Sequence, residues 1–102
     1  MTDKKIVLTT TGTREEAGRI ARALVAACVN VVAIESVYRW KDAVESAEEW
    51  LLLIKTTAAA YDQVHAAIKE LHLYDLPECV MLAIEHGSEE YLAWIGESVH
   101  LE

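Results

Sequence analysis

VNVVAIESVYRW (residues 29–40) and EEWLLLIKTT (residues 48–57) are two apolar segments that flank the polar residues 41–46. The first segment alternates with a period of two, and both of its faces carry apolar side chains. This pattern is typical of a strand that is buried on both sides. Strands of about ten residues exceed the usual length of about five or six. The sequence therefore predicts an unusually long β-hairpin, with residues 41–46 as a polar, mobile turn.

A strand and a helix precede this hairpin. Residues 5–11 are short and β-branched and end at Gly12, which predicts a first strand. Thr13 with Glu16 matches the capping box, in which each side chain satisfies the other residue's free backbone N–H. Apolar residues then recur at helical spacing and predict a helix that runs towards the hairpin; they are Ala17, Ile20, Ala21, Leu24, Val25 and Cys28.

The second half of the chain repeats the strand–helix alternation. Residues 58–72 have helical periodicity, residues 72–78 form a connector that contains the only proline, and residues 79–85 predict a fourth strand. Ser88 begins a last short helix. The order predicts an α+β, ferredoxin-like split βαβ sandwich with a C-terminal helix, as one domain over residues 1–102. Two helices cover only one face of a four-stranded sheet, so we expect other copies to cover the second face.

The composition excludes several classes of function. Of 102 residues, 53% are hydrophobic and 25% charged, as in globular proteins, and the net charge of −8 disfavours nucleic acids and anionic membranes. No signal peptide and no apolar run of about 20 residues is present, so we expect a cytoplasmic protein that does not span a membrane. Cys28 and Cys79 are predicted to be buried, reduced thiols rather than a disulfide.

The chain offers little catalytic chemistry. Cys28 falls on the apolar stripe of the first helix, and Cys79 follows Glu78, whose negative charge disfavours a thiolate. No Ser-His-Asp set and no phosphate-binding glycine loop can be placed. We therefore expect neither an enzyme nor an organic cofactor. Spacing favours structural roles for the histidines, although His86 beside Glu85 could hold a divalent ion or only a hydrogen bond.

Aromatic side chains gather at strand ends and on the last helix, with basic residues near them in the sequence. Aromatic and arginine side chains are enriched at interface cores, and a pocket between subunits would have a similar lining. We predict an oligomer with a cleft between subunits; its expected residues are Tyr38, Arg39, Trp40, Lys55, Tyr74, Glu78, Tyr91 and Trp94.

Several motifs resemble the CutA family of divalent-cation tolerance proteins. They are AACVNVV at residues 26–32, SVYRWK at 36–41, LIKT at 53–56, HLYDLPE at 72–78 and YLAWI at 91–95. These motifs occur in order over nearly the whole chain. The resemblance implies a ferredoxin-like fold, a tight homotrimer similar to the PII signalling proteins, and a role in tolerance to copper or similar divalent ions.

The metal ligands of some family members are only partly present. The resemblance places Thr9 where a cysteine ligand would stand and Leu71 where the first of two histidines would stand, so only His72 remains. Loss of a thiolate and an imidazole weakens a copper site. We therefore expect weak metal contact at His72, with His86 and Glu85. The alternative is a PII-like regulatory trimer that binds a small anion or a partner protein through Lys55 and Arg39.

Overall fold

The computed structural model describes residues 2–100, so the two ends of the predicted domain, Met1 and residues 101–102, lie outside the described part. The predicted α+β order of strands and helices is observed. The elements, with one 3-10 turn at Ala58–Ala60, are β1 (Lys4–Thr11), α1 (Arg14–Ala23), β2 (Cys28–Trp40), β3 (Ala43–Thr57), α2 (Tyr61–Leu71), β4 (Val80–Ala83) and α3 (Glu89–Ser98).

One antiparallel sheet organises the molecule, with the strand order β2-β3-β1-β4. The hairpin of β2 and β3 pairs without interruption from Cys28 opposite Lys55 to Trp40 opposite Ala43. β3 also pairs along all of β1, from Thr11 opposite Trp50 down to the start of the strand. The long hairpin that the sequence predicts is therefore confirmed, and β2 and β4 form the two edges of the sheet.

The turn of the hairpin is shorter than predicted. Only Lys41 and Asp42 lie outside the strands, with φ angles of 51° and 65°. Positive φ at both central residues is the geometry of the two-residue turn whose twist matches that of paired strands. Residues 43–46 are therefore paired strand rather than a mobile turn, because the backbone reverses within two residues.

The first helix is also shorter than the apolar stripe indicated. It ends at Ala23, and Cys28, which the periodicity placed on the helix, is the first residue of β2. The Ala27 N–H already donates to the Lys55 carbonyl at 2.9 Å, so sheet pairing takes over the backbone at this point. The apolar residues that follow the helix pack against the core from the short loop between α1 and β2 instead.

The last elements differ in length from their predictions. The fourth strand comprises Val80–Ala83 rather than residues 79–85, because β4 pairs only with β1 and the last register pair joins Lys5 to Ala83. The second helix begins with a 3-10 turn before α2 proper starts at Tyr61. The last helix begins as predicted, and the Ser88 hydroxyl accepts a hydrogen bond from the Tyr91 N–H at 3.3 Å.

The main core lies between the sheet and the helices α1 and α2. Its fully buried members come from β1, β3 and these two helices; they are Val7, Ala17, Ile20, Leu52, Ile54, Val64 and Ile68. Helix α3 lies against β3 and β1, and its Ile95 is fully buried outside that cluster. Gly96 of α3 packs beside the side chain of Lys4. Lys4 and the core residue Val7 are three positions apart in β1. Because alternate residues of a strand point to opposite faces, α3 covers part of the second face.

Large apolar side chains remain exposed in the single chain. They lie mainly on the hairpin, the connector, β4 and α3; they are Val31, Val32, Val37, Tyr38, Trp40, Val44, Leu73, Tyr74, Leu76, Val80, Met81, Leu82, Tyr91 and Trp94. An exposed apolar surface of this extent is typical of an interaction site.

Candidate functional site

A cleft of about 770 Å³ lies between the far end of the hairpin and the connector that follows α2. Its lining combines aromatic, acidic and small polar side chains; the residues are Thr10, Ser36, Val37, Tyr38, Trp40, Glu49, Leu73, Tyr74, Asp75, Leu76 and Glu78. This volume is in the range of small-molecule sites.

Strand alternation supplies one wall of the cleft. Tyr38 and Trp40 are two residues apart on β2, so both side chains project from the sheet face opposite the helices α1 and α2. Thr10 of β1 and Glu49 of β3 belong to the same face, because each is an odd number of positions from a core residue of its own strand. The pairing register of β1, β2 and β3 therefore brings these four side chains together on one wall of the cleft.

The connector that forms the other wall is anchored by Glu16 of α1. The buried Glu16 carboxylate accepts hydrogen bonds from the backbone N–H of Gly12 at 3.3 Å and of Leu73 at 2.9 Å. The predicted capping box is therefore half right. The Thr13 hydroxyl accepts from the Glu16 N–H at 3.1 Å, but the carboxylate turns to the loop and the connector instead of returning to Thr13.

His72 lies behind the cleft, and its side chain is fully buried. Its Nε2 lies 2.6 Å from the Thr10 carbonyl and its Nδ1 lies 3.0 Å from the Tyr74 N–H. A backbone N–H must donate to a lone pair and a carbonyl must accept, so the ring has its proton on Nε2. The Glu16 carboxylate lies 3.4 Å from Nδ1. Both ring nitrogens are thus engaged within the chain.

Tyr74 forms the floor of the cleft and is hydrogen-bonded to β3. Its hydroxyl donates to the Glu49 carboxylate at 2.7 Å. Partial burial of the phenol, together with this hydrogen bond and the nearby negative charge of Glu49, raises the pKa of Tyr74 above its ordinary value. The ring passes so close to Gly12 that a Cβ there would lie 3.3 Å from the Tyr74 oxygen. Glycine at this position therefore allows the close approach.

Four of the eight predicted cleft residues lie together in this cleft: Tyr38, Trp40, Tyr74 and Glu78. The other four are not part of it within one chain. Arg39 alternates with its neighbours and projects from the opposite face of β2. Lys55 lies at the other end of the hairpin and donates to the Asn30 side-chain oxygen.

The two aromatic residues of the last helix form a pair of their own. The rings of Tyr91 and Trp94 lie 5.5 Å apart on α3, and both side chains are partly exposed. Neither ring lines the cleft. The predicted set is therefore divided between the cleft, the opposite end of the hairpin and α3.

The predicted metal residues do not form a preorganised metal site. Glu85 and His86 are exposed in the loop between β4 and α3, whereas the side chain of His72 is buried with both nitrogens engaged. Within residues 2–100, no group of three or more His, Cys, Asp or Glu side chains could hold a metal ion. The donors of one chain therefore do not fit a complete site for a resident metal.

The two positions where family ligands would stand belong to the interior. Thr9 is fully buried on the helix-covered face of β1, and its hydroxyl is without a hydrogen-bond partner in the described part of the chain. Leu71 is half-buried against the core cluster. Both side chains thus contribute to packing in this protein.

The two cysteines are free thiols, as predicted, but both are half-buried rather than buried. Burial raises the pKa of the Cys79 thiol, and the charge of Glu78 adds to this effect. This direction agrees with the expected influence of Glu78 on the thiol. A raised pKa leaves little of the nucleophilic thiolate at neutral pH.

Sequence reasoning missed several residues of the cleft. Glu49 is the most informative, because this residue is only 9% exposed although it is acidic. In the sequence, the only sign of its role is a carboxylate directly before the apolar run of β3. Its position opposite Tyr74 follows only from the register with β1 and the fold of the connector. Thr10, Ser36 and Asp75 likewise lacked a pattern of their own.

Residues 5–98 match the family model described as CutA1 divalent ion tolerance protein. The chain belongs to the CutA1 family. The resemblance that the motifs indicated is therefore confirmed, and it extends over nearly all of the chain.

Relatives of known name or structure agree with this assignment. The "Divalent-cation tolerance protein CutA" of Thermus thermophilus is 44% identical over 100 residues, which cover 93% of this chain and 97% of that protein. The crystal structure of CutA from Xylella fastidiosa has a TM-score of 0.92 at 34% identity and matches 97% of this chain and 100% of that one. A CutA structure from Archaeoglobus fulgidus, titled a periplasmic protein, has a TM-score of 0.91 at 36% identity over 95% and 99% of the two chains. The antiparallel sheet with its helices is thus the fold of CutA1 proteins.

None of the helices within residues 2–100 has the length and apolar character needed to cross a membrane.

Proposed function

We propose that this member of the CutA1 family acts in tolerance to divalent cations as a homotrimer with a ferredoxin-like subunit. The observation that carries the proposal is the family match over residues 5–98. The name of the Thermus thermophilus relative, 44% identical, describes the same role.

The exposed apolar surface supports the trimer. Val37 and Val44, near the end of the hairpin, are 67% and 62% exposed in one chain. The edge strands β2 and β4 also carry unpaired backbone groups along one side. Natural proteins rarely leave long apolar edge strands open, because such edges pair with other chains. Neighbouring subunits in a closed trimer would cover these surfaces.

For metal contact we propose the exposed pair Glu85 and His86. A carboxylate and an imidazole are ligands for copper and similar ions. His72 is a poorer ligand in this chain, because coordination would require it to give up its bond with Thr10 or with Tyr74. Because one chain supplies only two ligands, we expect it to bind the ions weakly, as transported ions and not as a resident metal.

The proposal includes no enzymatic reaction and no organic cofactor. The raised pKa of Cys79 supports this reading, because its thiol is a weak nucleophile. We place the protein in the cytoplasm, since free cysteines are typical of reducing compartments. The anion-binding alternative finds less support, because Lys55 and Arg39 do not line the cleft whereas Glu49, Asp75 and Glu78 do.

Calorimetric titration of the purified chain with Cu²⁺ and Co²⁺ tests the metal contact. The double variant Glu85→Gln/His86→Ala is expected to lose most of the binding heat. Asp62→Asn/His65→Ala is the matched control, because it removes another exposed carboxylate and imidazole, on α2. Equal binding by wild type and both double variants would contradict the proposed contact. Growth of a copper-sensitive bacterial strain at rising Cu²⁺ then tests tolerance, with better growth expected when the chain is expressed.

A further inference from the structure

The Glu49 carboxylate is nearly buried yet lacks a cationic partner. Its one hydrogen bond comes from the neutral Tyr74 hydroxyl, and no lysine, arginine or histidine nitrogen within residues 2–100 lies within 4 Å of it. Because the pKa of Tyr74 is raised, the phenol remains a neutral donor. Burial of a carboxylate without an opposite charge is costly. The cleft therefore favours the arrival of a positive charge.

The rest of the lining has the same preference. Asp75 and Glu78 add two carboxylates, and none of the described residues that line the cleft is basic. Tyr38 and Trp40 present partly exposed aromatic side chains on the sheet wall. The face of an aromatic ring carries negative electrostatic potential and attracts cations. The aromatic and the acidic groups of the cleft therefore both favour a bound cation.

The dimensions of the cleft favour an organic cation over a bare metal ion. The carboxylates are not grouped closely enough to coordinate an ion, and the volume of about 770 Å³ accommodates a small molecule. Apolar side chains of the connector, Leu73 and Leu76, also line the cleft and would contact carbon atoms of the ligand.

We propose that this cleft binds an organic ammonium ion, with the cationic nitrogen near Glu49 and its alkyl groups against Tyr38 and Trp40. This binding is separate from metal tolerance and does not depend on Glu85 or His86. Glu49 supplies the charge, and the aromatic rings select an alkylated cation over a hydrated metal ion.

Titration of the full-length chain with tetramethylammonium tests the proposal by ¹H–¹⁵N NMR in the presence of EDTA. We expect saturable shifts of the Trp40 indole N–H and of the Tyr74 backbone amide. tert-Butanol, of similar shape but neutral, should produce neither shift. Because EDTA removes divalent ions, failure of the metal proposal would leave this result unchanged.

Two variants localise the binding. Glu49→Gln keeps an acceptor for the Tyr74 hydroxyl and should raise the Kd about tenfold, whereas the neighbour Glu48→Gln, exposed on the other face of β3, should leave it unchanged. Trp40→Leu should also weaken binding, and it serves as the test if Glu49→Gln does not fold. The proposal is overturned if tert-butanol binds as well as tetramethylammonium, or if neither ligand shifts the cleft resonances. It is also overturned if Glu49→Gln dissociates the oligomer while the ligand has no effect, since another copy of the chain would then fill the cleft.

Discussion

Thr9 and Thr11 of β1 are both fully buried and belong to the same face of the strand, but only one of their hydroxyls has a partner. The Thr11 hydroxyl donates to the Thr13 carbonyl at 2.8 Å, whereas that of Thr9 makes no hydrogen bond within residues 2–100. Replacement of Thr9 by valine removes an unsatisfied polar group at nearly constant volume. We predict that Thr9→Val raises the free energy of unfolding by about 1 kcal/mol.

The matched control is Thr11→Val, which should lower the free energy of unfolding by about 1 kcal/mol because the bond to Thr13 is lost. Urea unfolding at one fixed protein concentration measures both variants, since oligomer stability depends on concentration. A Thr9→Val variant as unstable as Thr11→Val would contradict the account.

Glu16 links the loop after β1 to the connector that forms the cleft. Its carboxylate accepts from the N–H groups of Gly12 and Leu73, and alanine would leave both donors unsatisfied. We predict that Glu16→Ala lowers the free energy of unfolding by about 3 kcal/mol. Glu15→Ala, an exposed neighbour in the same first turn of α1, should change stability by less than about 0.5 kcal/mol in urea unfolding. Similar losses of unfolding free energy in the two variants would show that Glu16 stabilises the fold only through its negative charge at the N-terminus of α1.

The residue scale also shows why the site was only partly predictable. Thr13 and Glu16 stand at capping-box spacing, so local sequence predicted the bond of the Glu16 N–H to Thr13. The carboxylate instead reaches Leu73, 57 positions away, and local spacing carries no information about that contact. The hydrogen bond between Tyr74 and Glu49 was hidden for the same reason, although Tyr74 itself was predicted as a cleft residue.

Among the elements, the hairpin was the most predictable because its strands carry apolar residues over a long, continuous run. Its turn was not, because Lys-Asp is an uncommon pair for two positive φ angles, which Asn-Gly adopts more readily. The end of α1 was mistaken because the apolar residues after Ala23 keep helical spacing although the backbone has left the helix and joins the sheet at Ala27 and Cys28. Periodicity therefore identified the elements, and tertiary pairing decided where they end.

The turn provides a prediction at this scale. Asp42 has a φ of 65°, which glycine adopts without the steric cost of a Cβ. We predict that Asp42→Gly raises the free energy of unfolding by about 0.5–1 kcal/mol in urea unfolding. Ala43→Gly, one residue further and within β3, should lower it by a similar amount. A loss of stability in both variants would contradict the assigned turn.

At the scale of the whole molecule, the sequence predicted an interface between copies of this chain. One chain measures 44 Å along its longest axis, and apolar side chains are exposed along the hairpin, β4 and α3. Surface of this kind is typical of subunits that associate through hydrophobic contacts. Four predicted residues do not line the cleft within one chain and are expected to take part in contacts between subunits; they are Arg39, Lys55, Tyr91 and Trp94.

The homotrimer is the central claim, because it accounts for the apolar side chains that one chain leaves exposed on the hairpin, β4 and α3. Size-exclusion chromatography with multi-angle light scattering at micromolar concentration measures it directly. We predict a single species with three times the 11.4 kDa mass of one chain, unchanged on dilution within the micromolar range. A stable species with the mass of one chain would contradict it.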